Sequence, residues 1–524
     1  MKEIQHLIDG RSVASTSGNV GPVFDPATGQ QTGTVALASV AEVDAAIISA
    51  RNAFDGWGEV SLARRTKLMH EFRNLLVTNA DEVAARLSAE HGKVLDDARG
   101  EVARGIENVE FACGIADALK GLHSEGASTG VDVYTVRRPL GVVAGVTPFN
   151  FPAMVPMWMF PNAIACGNTF ILKPSERDPS APMFVAELFQ EAGFPPGVLN
   201  VVNGDKVAVD RLVEHPDVRA VSFVGSTPIA RYVYASATAN GKRAQAMGGA
   251  KNHMVVLPDA DVDMAADAAV SAAYGSAGER CMAISVVVAV GDVGDQLVEA
   301  IRVRMEKLVI GPASDPSSEM GPLITREARD RVAGYIQAGA EAGCQVVVDG
   351  RDQAFEGDGF FLGVSLLDHV TTDMSVYPDE IFGPVLSVVR ADSYAEGAQM
   401  IRDNPFGNGA AIFTRDGGAA RQFQQDADTG MVGINVPIPV PVGYHSFGGW
   451  NDSAFGDHTI YGPEGLRFYT RPKVVTSRWP DPSTNGVALG FPRNDCWEGE
   501  ADGVRSGHAD RPPCLKGRGT GRPG

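Results

Sequence analysis

Short β-branched and apolar runs alternate with helical stretches through most of this chain, and no other feature limits its fold so tightly. Between Val131 and Val146 such runs are broken by Arg-Pro and Gly. Phe170 to Lys173 follows, then a helical stretch from Ala181 to Ala192, then runs at Val198 to Asn203 and Ala220 to Val224. Strands separated by helices of about ten to fifteen residues predict crossover units and a parallel sheet, with ligands bound beyond the carboxyl ends of its strands. A second alternating series from Lys251 to Gly430, including Ile284 to Val290 and Val346 to Val348, predicts another α/β unit. Ahead of both, Val40 to Trp57 and Ser61 to His91 carry apolar residues at helical spacing, while Asn19 to Gly33, rich in Gly and Pro, reads as turns.

With 524 residues the chain can bury two or three cores, and it needs no disulfide staples. Its six cysteines (Cys113, Cys166, Cys281, Cys344, Cys496 and Cys514) form no Cys-x-x-Cys pair, which suits a reducing cytoplasm, and no metal-ligand set is read. A net charge of -19 argues against nucleic acid as a partner. It does not exclude a small anion held by one or two arginines, because such pairs act at short range. No apolar run reaches the roughly 18 residues of a membrane span, so a membrane is not expected as a partner either. Past Trp479 the composition turns to Gly, Pro, Arg and Asp; this tail, 480–524, is expected to be disordered.

Three segments carry candidate chemistry. Cys281 stands in Ser276-Ala-Gly-Glu-Arg-Cys-Met-Ala-Ile-Ser285, a small-residue stretch leading into a β-like run, with Arg280 beside it to favour a thiolate. Alone, it reads more readily as a buried small hydrophobe. Asn150 lies between aromatics and prolines in Gly145-Val-Thr-Pro-Phe-Asn-Phe-Pro-Ala153, where its amide either donates to a developing oxyanion or tethers a loop. Lys173, Glu176 and Arg177 stand at the carboxyl end of a predicted strand, where they hold ribose hydroxyls or are simply solvated loop charges.

Taken together, Thr147-Pro-Phe-Asn-Phe-Pro152, Leu172-Lys-Pro-Ser-Glu176, Phe223-Val-Gly-Ser226, Cys281 and Glu380-Ile-Phe-Gly-Pro384 resemble the aldehyde dehydrogenase superfamily, in the family's order, over Ile8 to Trp479. The resemblance implies an α/β fold of two Rossmann-like domains plus a small β extension. The NAD-binding domain would be 1–120 and 141–247, the catalytic domain 248–434, and the oligomerisation extension of a homodimer or homotetramer 121–140 and 435–479. It also implies that Thr147, Phe149, Lys173, Glu176, Arg177, Ser226 and Gly248 line an NAD site, with Glu380 on the nicotinamide ribose. Glu176 would repel a 2′-phosphate, favouring NAD over NADP. Cys281 would be the nucleophile, and the Asn150 amide with the Cys281 N–H would form the oxyanion hole.

One departure from the family pattern bears on the outcome. Most members place a glutamate before a Gly-Gly-Lys segment to activate the water that hydrolyses the thioacyl enzyme; here Met247 stands there, in a stretch from Ala244 to His253 without a carboxylate. A thioester that water attacks slowly survives for a thiol, so coenzyme A is the expected acyl acceptor. The branch of the family this implies oxidises small aldehydes bearing a β-carboxylate, and Arg104 and Arg280 match arginines that would bind that group bidentately. Alone, Arg104 reads equally as a helix-surface charge. A hydrolytic route would need another base, for which Glu380 is the candidate.

Overall fold

The computed structural model describes residues 2–479, so the tail expected to be disordered lies outside the described residues. The first large sheet has eight strands in the order Ala454–Phe455, Arg243–Met247, Val218–Val224, Val142–Val146, Thr169–Lys173, Leu199–Val201, His6–Ile8 and Arg11–Val13. Its five strands from Arg243–Met247 to Leu199–Val201 run parallel. Val142–Val146 and Thr169–Lys173 are buried along their whole length, the continuous apolar pattern of strands covered on both faces. Chain order reverses between Val142–Val146 and Val218–Val224, which makes the carboxyl ends of those two strands a topological switch point. Thr147 and Gly225–Ser226 follow directly from those ends.

The second large sheet has seven strands, in the order Gln345–Val348, Ser365–Asp368, Val385–Ala391, Ile284–Val290, Asn252–Val256, Gly409–Phe413 and Met431–Ile434. All pairs are parallel except the edge pair formed by Gln345–Val348. Cys281 and Lys251 lie just before the amino ends of two adjacent central strands, Ile284–Val290 and Asn252–Val256.

Helix Val40–Trp57 forms as expected, with Ser39 and Glu42 in a reciprocal capping box. The stretch read as helical from Ser61 to His91 is two helices, Leu62–Thr78 and Ala80–His91, broken at Asn79, whose side chain donates to the Leu75 carbonyl at 2.8 Å. Asn19 to Gly33 corrects the expectation of turns. Val20–Asp25 and Gln30–Ala36 pair antiparallel, and only the connection is a turn, with Gly29 at φ +69°. Pro22 is tolerated because its strand is at the edge of a three-stranded sheet.

Among the described residues, a small separate unit comprises Leu122–Thr135 and Val474–Trp479. Inside it His123–Ser128 pairs antiparallel with the following strand, and the Trp479 indole donates to Asp132 at 2.9 Å. Residues 435–473 lie in the large unit. Their aromatics explain this: Phe447, Phe468 and Tyr469 are buried in the first core, and Tyr461 packs 5.1 Å from Trp158.

Candidate active site

Cys281 lies on a loop held out of ordinary geometry. Ser276, Ala277 and Gly278 have φ of 54°, 52° and 73°, three successive left-handed residues of which only the last is free of a Cβ penalty. Gly278 is required, because a Cβ there would meet the Gly383 carbonyl oxygen at 2.2 Å. The Cys281 carbonyl is tied by the side-chain amides of Asn252 and Asn408 at 3.0 and 3.1 Å. These bonds hold the half-buried cysteine on the wall of a 370 Å³ cleft that Glu101, Arg104, Phe151, Trp158, Arg280 and Phe447 also line. The lining of this cleft is both charged and aromatic.

Burial pushes the Cys281 thiol up to about 12, and the Glu380 carboxylate adds to the shift. The N–H groups of Cys281 and Met282, and last Arg280, act the other way. The activation expected from Arg280 is thus a minor effect. Its guanidinium is committed to Asp97 at 2.7 Å, packed where a side chain on Gly275 would collide with it. Arg104 is also partly engaged, donating to Glu107 at 2.7 Å and to the Pro441 carbonyl at 2.8 Å. Both arginines nonetheless line the cleft that holds the sulfur.

Asn150 is 4% exposed, and its side-chain amide makes no hydrogen bond among the described residues. Its backbone carbonyl accepts from Lys93 Nζ at 2.7 Å. The neighbouring N–H groups of Ala153 and Met154 donate to Glu101 Oε1 at 2.9 and 3.0 Å.

At the switch point, the structure brings several expected cofactor residues together. Thr147 N–H donates to the Lys173 carbonyl at 3.1 Å, and Lys173 Nζ lies 2.8 Å from Glu176. Burial opposes ionisation of Glu176, yet Lys173 holds its carboxyl below the ordinary range. Arg177 is exposed and bonds Ser175 through its backbone N–H at 3.0 Å. Phe149 packs between His91, 6.1 Å away, and Phe382, 5.9 Å away. Ser226 precedes helix Thr227–Ala239 without capping it. These residues fit a dinucleotide: Thr147 Oγ1 is buried without a partner, and the uncapped helix terminus suits a phosphate.

Two further residues expected in that site, Gly248 and Glu380, also make contacts within the protein. The Gly248 N–H is used by the Ser453 carbonyl at 2.9 Å, and a Cβ there would lie 2.8 Å from Asp452 O, so this glycine serves close backbone packing. Glu380 shares a small cavity with Cys281, and its Oε1 accepts from the Ala250 N–H at 2.9 Å. Burial pushes its carboxyl up to about 7. Met247 ends strand Arg243–Met247, 3% exposed within the first core, and lines neither cavity at Cys281.

Sequence reasoning missed Lys93, Asp97, Glu101 and Glu279. Asp97, Glu101 and Arg104 recur at i, i+4 and i+7 on helix Leu95–Cys113, a polar stripe that reads as a solvated face until the helix is known to be covered. Glu279 is fully buried, its Oε2 is without a partner, and burial pushes its carboxyl up to about 8. Among the described residues no group of His, Cys, Asp and Glu suits a metal ion, and no helix is long and apolar enough to cross a membrane.

Residues 13–475 match the Aldehyde dehydrogenase family. A malonate-semialdehyde dehydrogenase of Pseudomonas aeruginosa is 54% identical over 94% of this chain and 100% of its own length. Among solved structures, a Sinorhizobium meliloti protein provisionally described as methylmalonate-semialdehyde dehydrogenase, complexed with NAD, superposes with a TM-score of 0.91 at 55% identity, over 92% of this chain and 99% of that one. Methylmalonate-semialdehyde dehydrogenase from Oceanimonas doudoroffii gives a TM-score of 0.91 at 53% identity, with the same coverage of both chains.

Proposed function

This chain belongs to the aldehyde dehydrogenase family, and from that premise we propose that it oxidises methylmalonate and malonate semialdehydes with NAD and passes the acyl group to coenzyme A. The carboxylate is lost on the way, giving propionyl-CoA and acetyl-CoA. The observation that carries this reading is the cleft in which Arg104 and Arg280 stand with the Cys281 sulfur. A guanidinium there binds the substrate carboxylate and brings the aldehyde carbon to the sulfur.

Cys281 releases its proton to solvent and forms a C–S bond to the aldehyde carbon, while the carbonyl π electrons become an oxyanion. The Cys281 N–H and the free Asn150 amide donate to that oxygen. NAD, held by Thr147, Lys173, Glu176 and Ser226, supplies the acceptor for the departing hydride. The ionised Glu176 disfavours a 2′-phosphate. The product is a thioester on Cys281. With Met247 buried in the core, that position offers water no base, and the thiolate of coenzyme A attacks the acyl carbon as the Cys281 thiolate leaves. Because the substrate carboxylate is β to the acyl carbonyl, its C–C bond can break with the electrons passing to the α-carbon, which then takes a proton.

The domain division, an assembly as homodimer or homotetramer, and a cytoplasmic location complete this reading. The four described cysteines are unpaired, which supports a reducing compartment. The test is NADH production from methylmalonate semialdehyde with and without coenzyme A, using Cys281→Ala as the blank. Sustained turnover only with coenzyme A, yielding propionyl-CoA, is expected. Equal turnover without any thiol would replace this reading with the hydrolytic one.

A further inference from the structure

We propose that the buried ion pair of Lys93 and Glu101 positions the Asn150 amide, by clamping the loop that carries it from both ends. The inference rests on the reading of Asn150 as an oxyanion donor. Both charged side chains are fully buried, with Lys93 Nζ 2.8 Å from Glu101 Oε2. The ammonium also donates to the Asn150 carbonyl at 2.7 Å and lies 4.4 Å from the Phe151 ring centre. The other carboxylate oxygen accepts from the Ala153 and Met154 N–H groups. It thereby satisfies the start of helix Met154–Ala165, which has no cap of its own. Between Asn150 and Met154, four of five residues touch the pair.

The burial of both charges separates positioning from mere packing. Taking two charges out of water costs several kcal/mol per ion, and apolar replacements of similar volume are often as stable or more so. Stability alone is therefore a poor reason for a dry ion pair at this place. Direction is a better one: the Asn150 amide has no side-chain partner of its own among the described residues, so its aim depends on how the backbone beneath it is held. The same helix also reaches the nucleophile loop, since Asp97, one turn before Glu101, pairs with Arg280, the neighbour of Cys281. Lys93 and Glu101 are positioning residues; neither is assigned contact with reacting atoms.

The test is a double-mutant cycle on the full-length enzyme, reading the single-turnover rate of NADH formation and the KM for methylmalonate semialdehyde. Glu101→Gln keeps acceptor geometry toward Ala153 and Met154 while removing the charge, and it serves if Lys93→Met fails to fold. Each change is expected to slow hydride transfer about 10- to 100-fold, the scale of a misplacement near 1 Å, with KM moving less than about 3-fold. In an Asn150→Ala background the further loss should fall below about 2-fold, since residues acting as one unit are non-additive. Equal losses in both backgrounds, or full activity in folded Glu101→Gln, would overturn the positioning role alone. An Asn150→Ala enzyme with unchanged rate would overturn the oxyanion reading and this inference with it.

Discussion

At the carboxyl ends of the first sheet, Thr147 Oγ1 has no partner and Ser226 caps nothing, while Lys173 and Glu176 form a half-open ion pair. At the amino end of the second sheet, Cys281 sits behind three left-handed residues, Glu279 is fully buried, and Glu380 is pushed up to about 7. The first region leaves donors and acceptors available, which suits holding a polar ligand. The second concentrates strain and desolvation, which suits reacting. Binding and chemistry are thus divided between two sheets, and helix Leu95–Cys113 lines the cleft at Cys281 with Asp97, Glu101 and Arg104.

That division ranks the consequences of substitution. Cys281→Ala should abolish NADH formation, a loss of about 10⁴-fold or more, with NAD binding by fluorescence titration nearly unchanged. Asn150→Ala should lower the hydride step by about 10²- to 10³-fold, the scale seen for removing one oxyanion donor. A comparable loss of cofactor affinity in either variant would break the separation. In the binding half, Glu176→Gln should raise kcat/KM for NADP about 10-fold while costing affinity for NAD, leaving the thiol untouched.

The reactive half makes two smaller claims that depend on pH. Glu380 ionises as pH rises through about 7 and its charge then opposes the Cys281 thiolate. Glu380→Gln should therefore speed iodoacetamide labelling of Cys281 about 3- to 10-fold at pH 8 and little at pH 6. Glu279 has a folded-state value of about 8 against an ordinary 4.5. Between those values the folded chain keeps a proton that the unfolded chain has released, so stability falls as pH rises through that window and levels off above it. Glu279→Gln should flatten the slope and raise Tm at pH 8 by roughly 2 °C relative to pH 5, by scanning calorimetry.

The binding half was the more legible in sequence. Apolar runs ending in Thr147, Lys173 and Ser226 place their polar residues at strand ends by period alone, and the structure puts them there. The reactive half was legible only as a cysteine in a small-residue segment, because strain at Ser276 and Ala277 and the approach of Gly383 depend on residues a hundred positions away. Arg280 shows the same limit. Adjacent in sequence to Cys281, it promised to lower the thiol, but burial and Glu380 outweigh it, and its guanidinium also pairs with Asp97, 183 residues earlier. Lys93, in the loop before helix Leu95–Cys113, and Glu101, on that helix, went unseen since charged residues are ordinarily solvated, and only tertiary packing buries this pair. The misreading of Asn19 to Gly33 arose from Pro22, whose edge position no local pattern reveals.

The central claim is that an acyl group rests on Cys281 until a thiol removes it. Intact-protein mass spectrometry after mixing the enzyme with NAD and methylmalonate semialdehyde, without coenzyme A, tests it most directly. The account predicts a mass increase that maps to Cys281, persists for many turnover times and disappears on adding coenzyme A as the acyl-CoA forms. No adduct at any time, with free acid and NADH accumulating together at the full turnover rate, would contradict it.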